Sequence, residues 1–312
     1  MKPVVALAGG VGAARFLDGL ARVLPSERLF IIGNTGDDAE IHSLYISPDL
    51  DTVTYTLAGL AEPQRGWGIR GDRFRCLEAL GRLGAETWFQ LGDRDLATHL
   101  YRTQRLRQGA TLTQVTGEIM KALRVRATLV PMSDDLVRTR ICTSKGELEF
   151  QTYFVKRRAR DRVAGLRFDG ADGAAPAPGI LDAIAKAEAI IICPSNPFIS
   201  IGPILAIPGI RDALRARRAA VAAISPIVGG QAIKGPAAAM MKSMKMRPAA
   251  VEVARLYTDM AGTFVLDEVD RHQATAVKAL GMRPVVTNTI MSDRRARKAL
   301  AGAVIRALRT PE

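Results

Sequence analysis

Four aspartates, Asp37, Asp38, Asp49 and Asp51, fall within fifteen positions of one another. Carboxylates gathered so closely repel, and the arrangement is costly unless a cation or a hydroxyl group uses them. Asp37, Asp38 and Asp51 are therefore candidates to hold a hard divalent cation such as Mg²⁺, or to take a proton from a reacting hydroxyl. Asp49 follows Ser47-Pro48 and reads as the cap of a helix running toward Gly59. A second group is Gly9-Gly10-Val11-Gly12, placed between the apolar run Val4–Ala8 and a helical pattern that begins at Ala13. Strand, glycine turn and helix N-terminus expose backbone N–H groups, and these favour a phosphate. A third is Asp93-Arg94-Asp95, a charged triplet that reads either as a plain helix cap with a surface ion pair or as a cap whose arginine binds phosphate or carboxylate.

The glycine turn is not the dinucleotide fingerprint. Gly10 and Gly12 would fit its first two positions, but Arg15 stands at the third. The acid expected after the second strand is replaced by Asn34, which follows Leu29-Phe30-Ile31-Ile32-Gly33. No G-x-x-x-x-G-K-[ST] loop occurs. These departures disfavour an ordinary nicotinamide dehydrogenase and leave another nucleotide ligand open.

The elements that must position these groups follow from periodicity. Continuous apolar runs at 4–8, 29–33, 127–131, 189–193, 219–224, 262–266 and 284–286 predict buried strands. Helices are expected over 73–83, 96–107, 112–123 and 292–308, so that 61–125 forms a mainly helical insertion. Alternating segments at 137–143 and 147–155, joined by Ser144-Lys145-Gly146, predict a β-hairpin, with the basic run 156–162 as its extension or a loop. Strands alternating with helices imply an α/β fold: a Rossmann-like, doubly wound, mostly parallel sheet forming one domain over 1–312. Ligands in such sheets sit beyond the carboxyl ends of the strands. Gly9 to Gly12, Asn34 to Asp38, Ser195-Asn196 and the turn from Ser225 through Gly229 to Lys234 should then meet in one crevice.

Composition bounds the class. The chain has 312 residues and 48% hydrophobic content, with a mean hydropathy of +0.07, ordinary globular values. No apolar run reaches the roughly 20 residues that span a bilayer, and no signal segment opens the chain, so a cytoplasmic location is expected. Cys76, Cys142 and Cys193 are widely spaced and are expected to be reduced, mostly buried thiols. His42, His99 and His272 are too few and scattered for a histidine-rich zinc site. The net charge of +13 collects in Arg102-Arg105-Arg107, in 156–162, in 211–218 and in 294–298. No aromatic stacking platform accompanies these clusters, so they read as solvated helix faces rather than a nucleic-acid surface.

Taken together, several of these segments carry a resemblance. Ala8 to Phe16, Asn34-Thr35-Gly36-Asp37-Asp38, Ser47 to Thr52, Gly66-Trp67-Gly68-Ile69 and Leu91 to His99 are joined by Pro194 to Pro197, Ser225 to Gly230 and Lys234-Gly235-Pro236. In order, and over nearly the whole chain, they resemble the 2-phospho-L-lactate transferase family of coenzyme F-420 biosynthesis. The resemblance implies a cytoplasmic, Mg²⁺-dependent, commonly dimeric enzyme. Such an enzyme transfers a 2-phospholactyl or phosphoenolpyruvyl group from a guanosine diphosphate adduct to the deazaflavin alcohol Fo, releasing GMP. It further implies Fo near Asp51, Asp93 and Arg94. The guanylyl group would lie over Gly9, Gly10, Val11 and Gly12, with Asn34, Thr35, Ser195, Asn196, Ser225, Gly229 and Lys234 around it. On this reading Asp37, Asp38, Asp51 and Arg94 carry the catalysis, the three acids through Mg²⁺.

Two other classes compete. The related nucleotide-sugar-binding regulators of gluconeogenesis are similar at the glycine turn and several strand ends, but a sensor has no use for an acceptor-alcohol site. A basic nucleic-acid-binding protein would show salt-sensitive retention of DNA or RNA.

Overall fold

The computed structural model describes residues 2–309. β1 (Val4–Ala8) passes through Gly9 into α1 (Gly10–Leu20), and β2 (Leu29–Gly33) follows. A small hairpin of β3 (Ala39–Ile41) and β4 (Leu44–Ile46) leads to α2 (Pro48–Leu57). Next come α3 (Arg75–Arg82), α4 (Asp93–Arg107), α5 (Leu112–Ala122) and β5 (Thr128–Pro131). β6 (Arg138–Thr143), β7 (Gly146–Glu149) and β8 (Val163–Asp169) form a separate antiparallel sheet in the order β7-β6-β8. The second half runs through α6 (Ile180–Lys186), β9 (Ala189–Ile192), α7 (Gly202–Ala206), α8 (Ile210–Ala216) and β10 (Val221–Ile224). The two-residue strands β11 (Ile227–Val228) and β12 (Gln231–Ala232) precede α9 (Ala237–Ser243), α10 (Ala250–Arg255) and β13 (Thr263–Leu266). The described chain closes with α11 (Ala274–Ala279), β14 (Arg283–Val286) and α12 (Arg294–Arg309).

Seven strands make the main sheet, in the order β14-β13-β10-β9-β1-β2-β5, and every pairing is parallel. Parallel sheets are covered on both faces, which is why these strands read as unbroken apolar runs rather than alternating ones. The side chains still alternate. Val5, Leu7, Ile190, Ile192 and Phe264 enter one core with α6, α8 and α10, while Val4, Ala6, Ile31, Ile191 and Val265 enter the other with α1, α2, α5 and α12. From β1 the chain moves outward through β2 to β5, then returns to the other side at β9 and proceeds to β14. The reversal puts a crevice beyond the carboxyl ends of β1 and β9, the switch point where open α/β sheets bind ligands.

The sequence-based reading needs correction in four places. The second arm of the hairpin stops at Glu149, and Thr152–Lys156 forms a wide helical turn with i→i+5 bonding. Phe150 and Tyr153 are buried here with Ile141, Val163 and Ile199, and the rings of Phe150 and Phe154 stack at 5.4 Å. Spacings of three and four residues put these rings on one side of a helical turn, so side-chain packing overrides the alternation. β8, which the sequence did not signal, takes the vacant place beside β6. The β3–β4 hairpin was not expected either, since His42 and Ser43 occupy its turn at positive φ (52° and 58°), where Asn and Gly are the usual signals. Finally, only Cys193 of the three cysteines is buried; Cys76 is exposed and Cys142 half-buried. Among the described residues no single helix is long and apolar enough to cross a membrane.

Candidate active site

The turn after β1 is shaped by close approaches. Gly10 adopts φ +72°, and a Cβ on Gly12 would lie 2.4 Å from the carbonyl oxygen of Pro194 at the end of β9. Glycine at these positions lets α1 start against the neighbouring strand. The Ser195 hydroxyl donates to the Gly9 carbonyl (2.8 Å), fastening the two strand ends together. The Gly10 N–H is not left open: it donates to Asp49 Oδ1 (2.8 Å), and Asn34 Nδ2 donates to Asp49 Oδ2 (2.9 Å). Asp49, expected to be a simple cap of α2, does not cap it: it lies in the first turn after Ser47, and its carboxylate braces the start of α1 instead.

In front of this turn lies a cavity of about 690 Å³, lined by 9–12, Asp37, Asp49, Asp51, Ser195, Asn196, Ser225 and Lys234. Trp67, Phe89 and Phe154 add aromatic wall, and Arg15 adds a cation. A cavity of this kind, mostly apolar with a few convergent polar groups, suits an organic ligand with a charged end. The acids lining it, and Asp38 behind them, are strongly perturbed. Burial, reinforced by the neighbouring Asp49 carboxylate, raises the Asp37 carboxyl well above the usual range, and its Oδ1 accepts no hydrogen bond. Burial pushes Asp49 up to about 6 against the bonds from Asn34 and Gly10. Asp38 is pushed up to about 7 by burial, although Arg138 and the Ser47 hydroxyl act the other way.

Behind the cavity, α2 and α4 meet through a polar ladder. Asp51 and Tyr55 stand one turn apart on α2, while Asp95, His99 and Arg102 occupy one face of α4 at spacings of four and three. Arg102 forms a two-pronged ion pair with Asp51, through Nη1 to Oδ2 (3.1 Å) and Nη2 to Oδ1. Arg102 Nη1 also lies 3.3 Å from His99 Nδ1. Arginine only donates, so Nδ1 accepts and the ring proton sits on Nε2, 3.4 Å from Asp95 Oδ2. The Tyr55 hydroxyl donates to Asp95 Oδ1 (2.6 Å) and closes the ladder. Tyr55, Asp95 and His99 were missed as site residues. The sequence held a signal for them, because polar residues spaced i, i+4, i+7 along a helix mark a polar face. Arg102 was counted among solvated basic faces, yet it is 1% exposed. Periodicity alone does not tell an outward polar face from an inward one.

The Asp93-Arg94-Asp95 triplet begins α4 after Gly92, which supplies no side-chain cap. The cap comes from Asp72, whose carboxylate accepts from the N–H groups of Arg94 (2.9 Å) and Asp95 (3.0 Å). Asp93 in turn accepts from Cys76 N–H (3.0 Å) at the start of α3. Each helix start is thus capped by an acid preceding or opening the other. Arg94 is exposed and donates to the Arg70 carbonyl (3.2 Å).

The structure brings Gly9, Gly10, Val11, Gly12, Asp37, Asp51, Ser195, Asn196, Ser225 and Lys234 to the lining of one cavity. Asn34, Thr35, Asp38, Gly229, Asp93 and Arg94 lie outside that lining. Asn34 sits behind Asp49, Asp38 faces Ser47, and the Gly229 N–H donates to Asp270 (3.0 Å). Lys234 Nζ donates to the Arg65 carbonyl (3.1 Å), drawing the 62–68 turn over the glycine turn. A cation could be held in two places. Asp37 and Asp49 offer buried oxygens with little countercharge, the donor type a hard ion prefers. Asp51, Asp95 and His99 bring one ligand atom each to within 4.8 Å of one another.

Comparison with known proteins places the chain in a family. The model of the family described as 2-phospho-L-lactate transferase CofD matches residues 4–305. A 2-phospho-L-lactate transferase of Methanosarcina mazei is 38% identical over 97% of this chain and the whole of that protein. A phosphoenolpyruvate transferase of Kitasatospora aureofaciens is 42% identical over 93% of this chain and 92% of its own length. Among solved structures, a UPF0052 family member from Bacillus halodurans superposes with a TM-score of 0.65, covering 97% of this chain and 98% of that one. At 17% identity that likeness speaks for the fold alone. By its full-length relatives and its family match, the chain belongs to the CofD family of 2-phospho-L-lactate transferases.

Proposed function

We propose that this transferase joins a phosphorylated three-carbon acid, carried as a guanosine diphosphate adduct, to the primary hydroxyl of the deazaflavin Fo. The hydroxyl oxygen attacks the phosphorus bearing the three-carbon acid. The bond from that phosphorus to the bridging oxygen breaks, GMP leaves with the oxygen, and the hydroxyl proton passes to a carboxylate. The product is F-420-0 when the donor carries phospholactate and dehydro-F-420-0 when it carries phosphoenolpyruvate. One observation supports this most: the glycine turn and four buried carboxylates, Asp37, Asp49, Asp51 and Asp95, line a single cavity.

The chain's own residues divide the work. The free N–H groups of Val11 and Gly12, at the positive end of α1, suit the guanylyl phosphate. Arg15 and Lys234 add positive charge on the same side. Asp51, which lines the same cavity, is placed to accept a hydrogen bond from the Fo hydroxyl and so direct its oxygen at phosphorus. Trp67, Phe89 and Phe154 give a flat aromatic ring system a surface to stack on. Arg94 would have to leave the Arg70 carbonyl to reach either substrate. Mg²⁺ fits the carboxylate oxygens of Asp37 with Asp49, or of Asp51 with Asp95, and would supply charge neutralisation at the diphosphate. A single folded unit, a cytoplasmic location and a homodimer complete the reading.

The test is to incubate the purified protein with Fo, Mg²⁺ and each guanylylated donor in turn, reading product mass and GMP release. Formation of the expected adduct with one donor identifies the three-carbon acid. Binding of nucleotide with no GMP release would favour a sensor and overturn the proposal.

A further inference from the structure

Arg102 raises a question that the reaction itself does not answer. It is the largest fully buried side chain, yet it does not line the cavity. It reaches inward from α4 to place both guanidinium prongs on Asp51, with one prong also against His99 Nδ1. Its Nε finds no hydrogen-bond partner at all. Burying an ion pair costs desolvation that mutual attraction only partly returns, and apolar residues of similar volume are often as stabilising or more so. A buried guanidinium with an orphaned N–H is therefore poorly explained as a device for stability. It is well explained as a device for geometry. A planar fork fixes both oxygens of a carboxylate, whereas a single cation leaves the carboxylate free to rotate.

Resting on the function proposed above, we infer that Arg102 is the positioning residue of the acceptor site: it locks the Asp51 carboxylate so that the Fo hydroxyl meets it in one orientation. The same contact orients His99, whose Nε2 lies 3.4 Å from Asp95 Oδ2 without a hydrogen bond, so two cavity-lining groups, Asp51 and His99, share one anchor, while Tyr55 holds Asp95. The anchor acts on the acceptor half alone. The turn that faces the donor is braced separately, by Asp49 and Asn34.

Arg102→Lys and Arg102→Met separate these roles, with Arg105→Ala as the control. Arg105 lies one turn further along α4, half-exposed and away from Asp51, and pairs with Glu118. Lysine keeps the charge but loses the fork; methionine removes the charge and keeps most of the volume. Wild-type turnover with Fo is measured first, since its absence would take down the function and this inference together. With wild type active, both Arg102 variants are expected to raise KM for Fo about tenfold or more, the loss of roughly one charge-assisted hydrogen bond. KM for the guanylylated donor should stay within about twofold on the same scale. Calorimetric titration with Fo alone should show the same weakening, while Arg105→Ala matches wild type in every measurement. A merely structural role predicts loss of thermal stability with both KM values moving together. That result, or an unchanged KM for Fo in Arg102→Lys, overturns the inference. If Arg102→Met fails to fold, Arg102→Lys decides.

Discussion

Replacing Asp38 by Asn should stabilise the metal-free protein, and by an amount that depends on pH. Asp38 is fully buried, and its carboxyl is pushed from the ordinary 3.8 up to about 7, chiefly by loss of solvent. Between those values the folded protein holds a proton that the unfolded chain has released. Stability from this group is therefore complete below about pH 4, falls as pH rises through the window, and is flat above about pH 7. At about 1.4 kcal/mol per pH unit, the ionised group costs the fold up to about 4 kcal/mol in alkaline solution. Asparagine keeps an acceptor oxygen for the Ser47 hydroxyl, which now bonds Asp38 Oδ2 at 2.9 Å, and it does not titrate. Its own packing cost is the same at every pH and cancels when two pH values are compared. Urea unfolding of both proteins, with a chelator present, should then show the advantage of Asp38→Asn growing by about 2–4 kcal/mol between about pH 4 and about pH 8. A pH-independent difference would refute the argument, because it would mean that Asp38 is ionised in the fold at no cost.

Asp51→Asn should lower kcat/KM with Fo by about a hundredfold or more, about 3 kcal/mol of transition-state stabilisation, and a near-wild-type rate in Mg²⁺ would remove Asp51 from the mechanism. Gly12→Ala places a methyl group against the Pro194 carbonyl at 2.4 Å, so α1 must shift and both donor binding and stability should fall, the latter by about 1–3 kcal/mol in thermal unfolding. Asp72→Ala removes the cap of α4 and should cost about 1 kcal/mol in denaturant titration without raising KM for the donor. A thiol reagent should modify Cys76 rapidly in the folded state and leave Cys193 untouched until unfolding, as peptide mapping would show.

Much of the framework was legible from residue types alone. Unbroken apolar runs bounded by glycine announced parallel strands buried on both faces, and the alternation with helical periods gave the doubly wound sheet. The glycine turn and the strand-end segments marked the carboxyl end of that sheet as the ligand side, because helix N-termini with unpaired N–H groups gather there. The motifs also carried the family, since Asp51 with its neighbours and the run from Leu91 to His99 are specific at the level of sequence.

What the sequence did not decide was direction. Asp37 and Asp38 are adjacent, but one lines the cavity and the other faces Ser47, since successive residues of an extended turn point to opposite sides. Asp49 reads as a local cap, and only the fold brings the Gly10 N–H, thirty-nine positions away, within 2.8 Å of it. Arg94 looks like the functional arginine of α4 and Arg102 like a surface one; packing of α4 against α2 reverses that order, leaving Arg94 exposed and burying Arg102 beneath Asp51. Residue types and spacing determine which elements form and what chemistry they hold. Which face of each element turns inward is settled by the elements packed against it, and a charge has no fixed role until that packing is made.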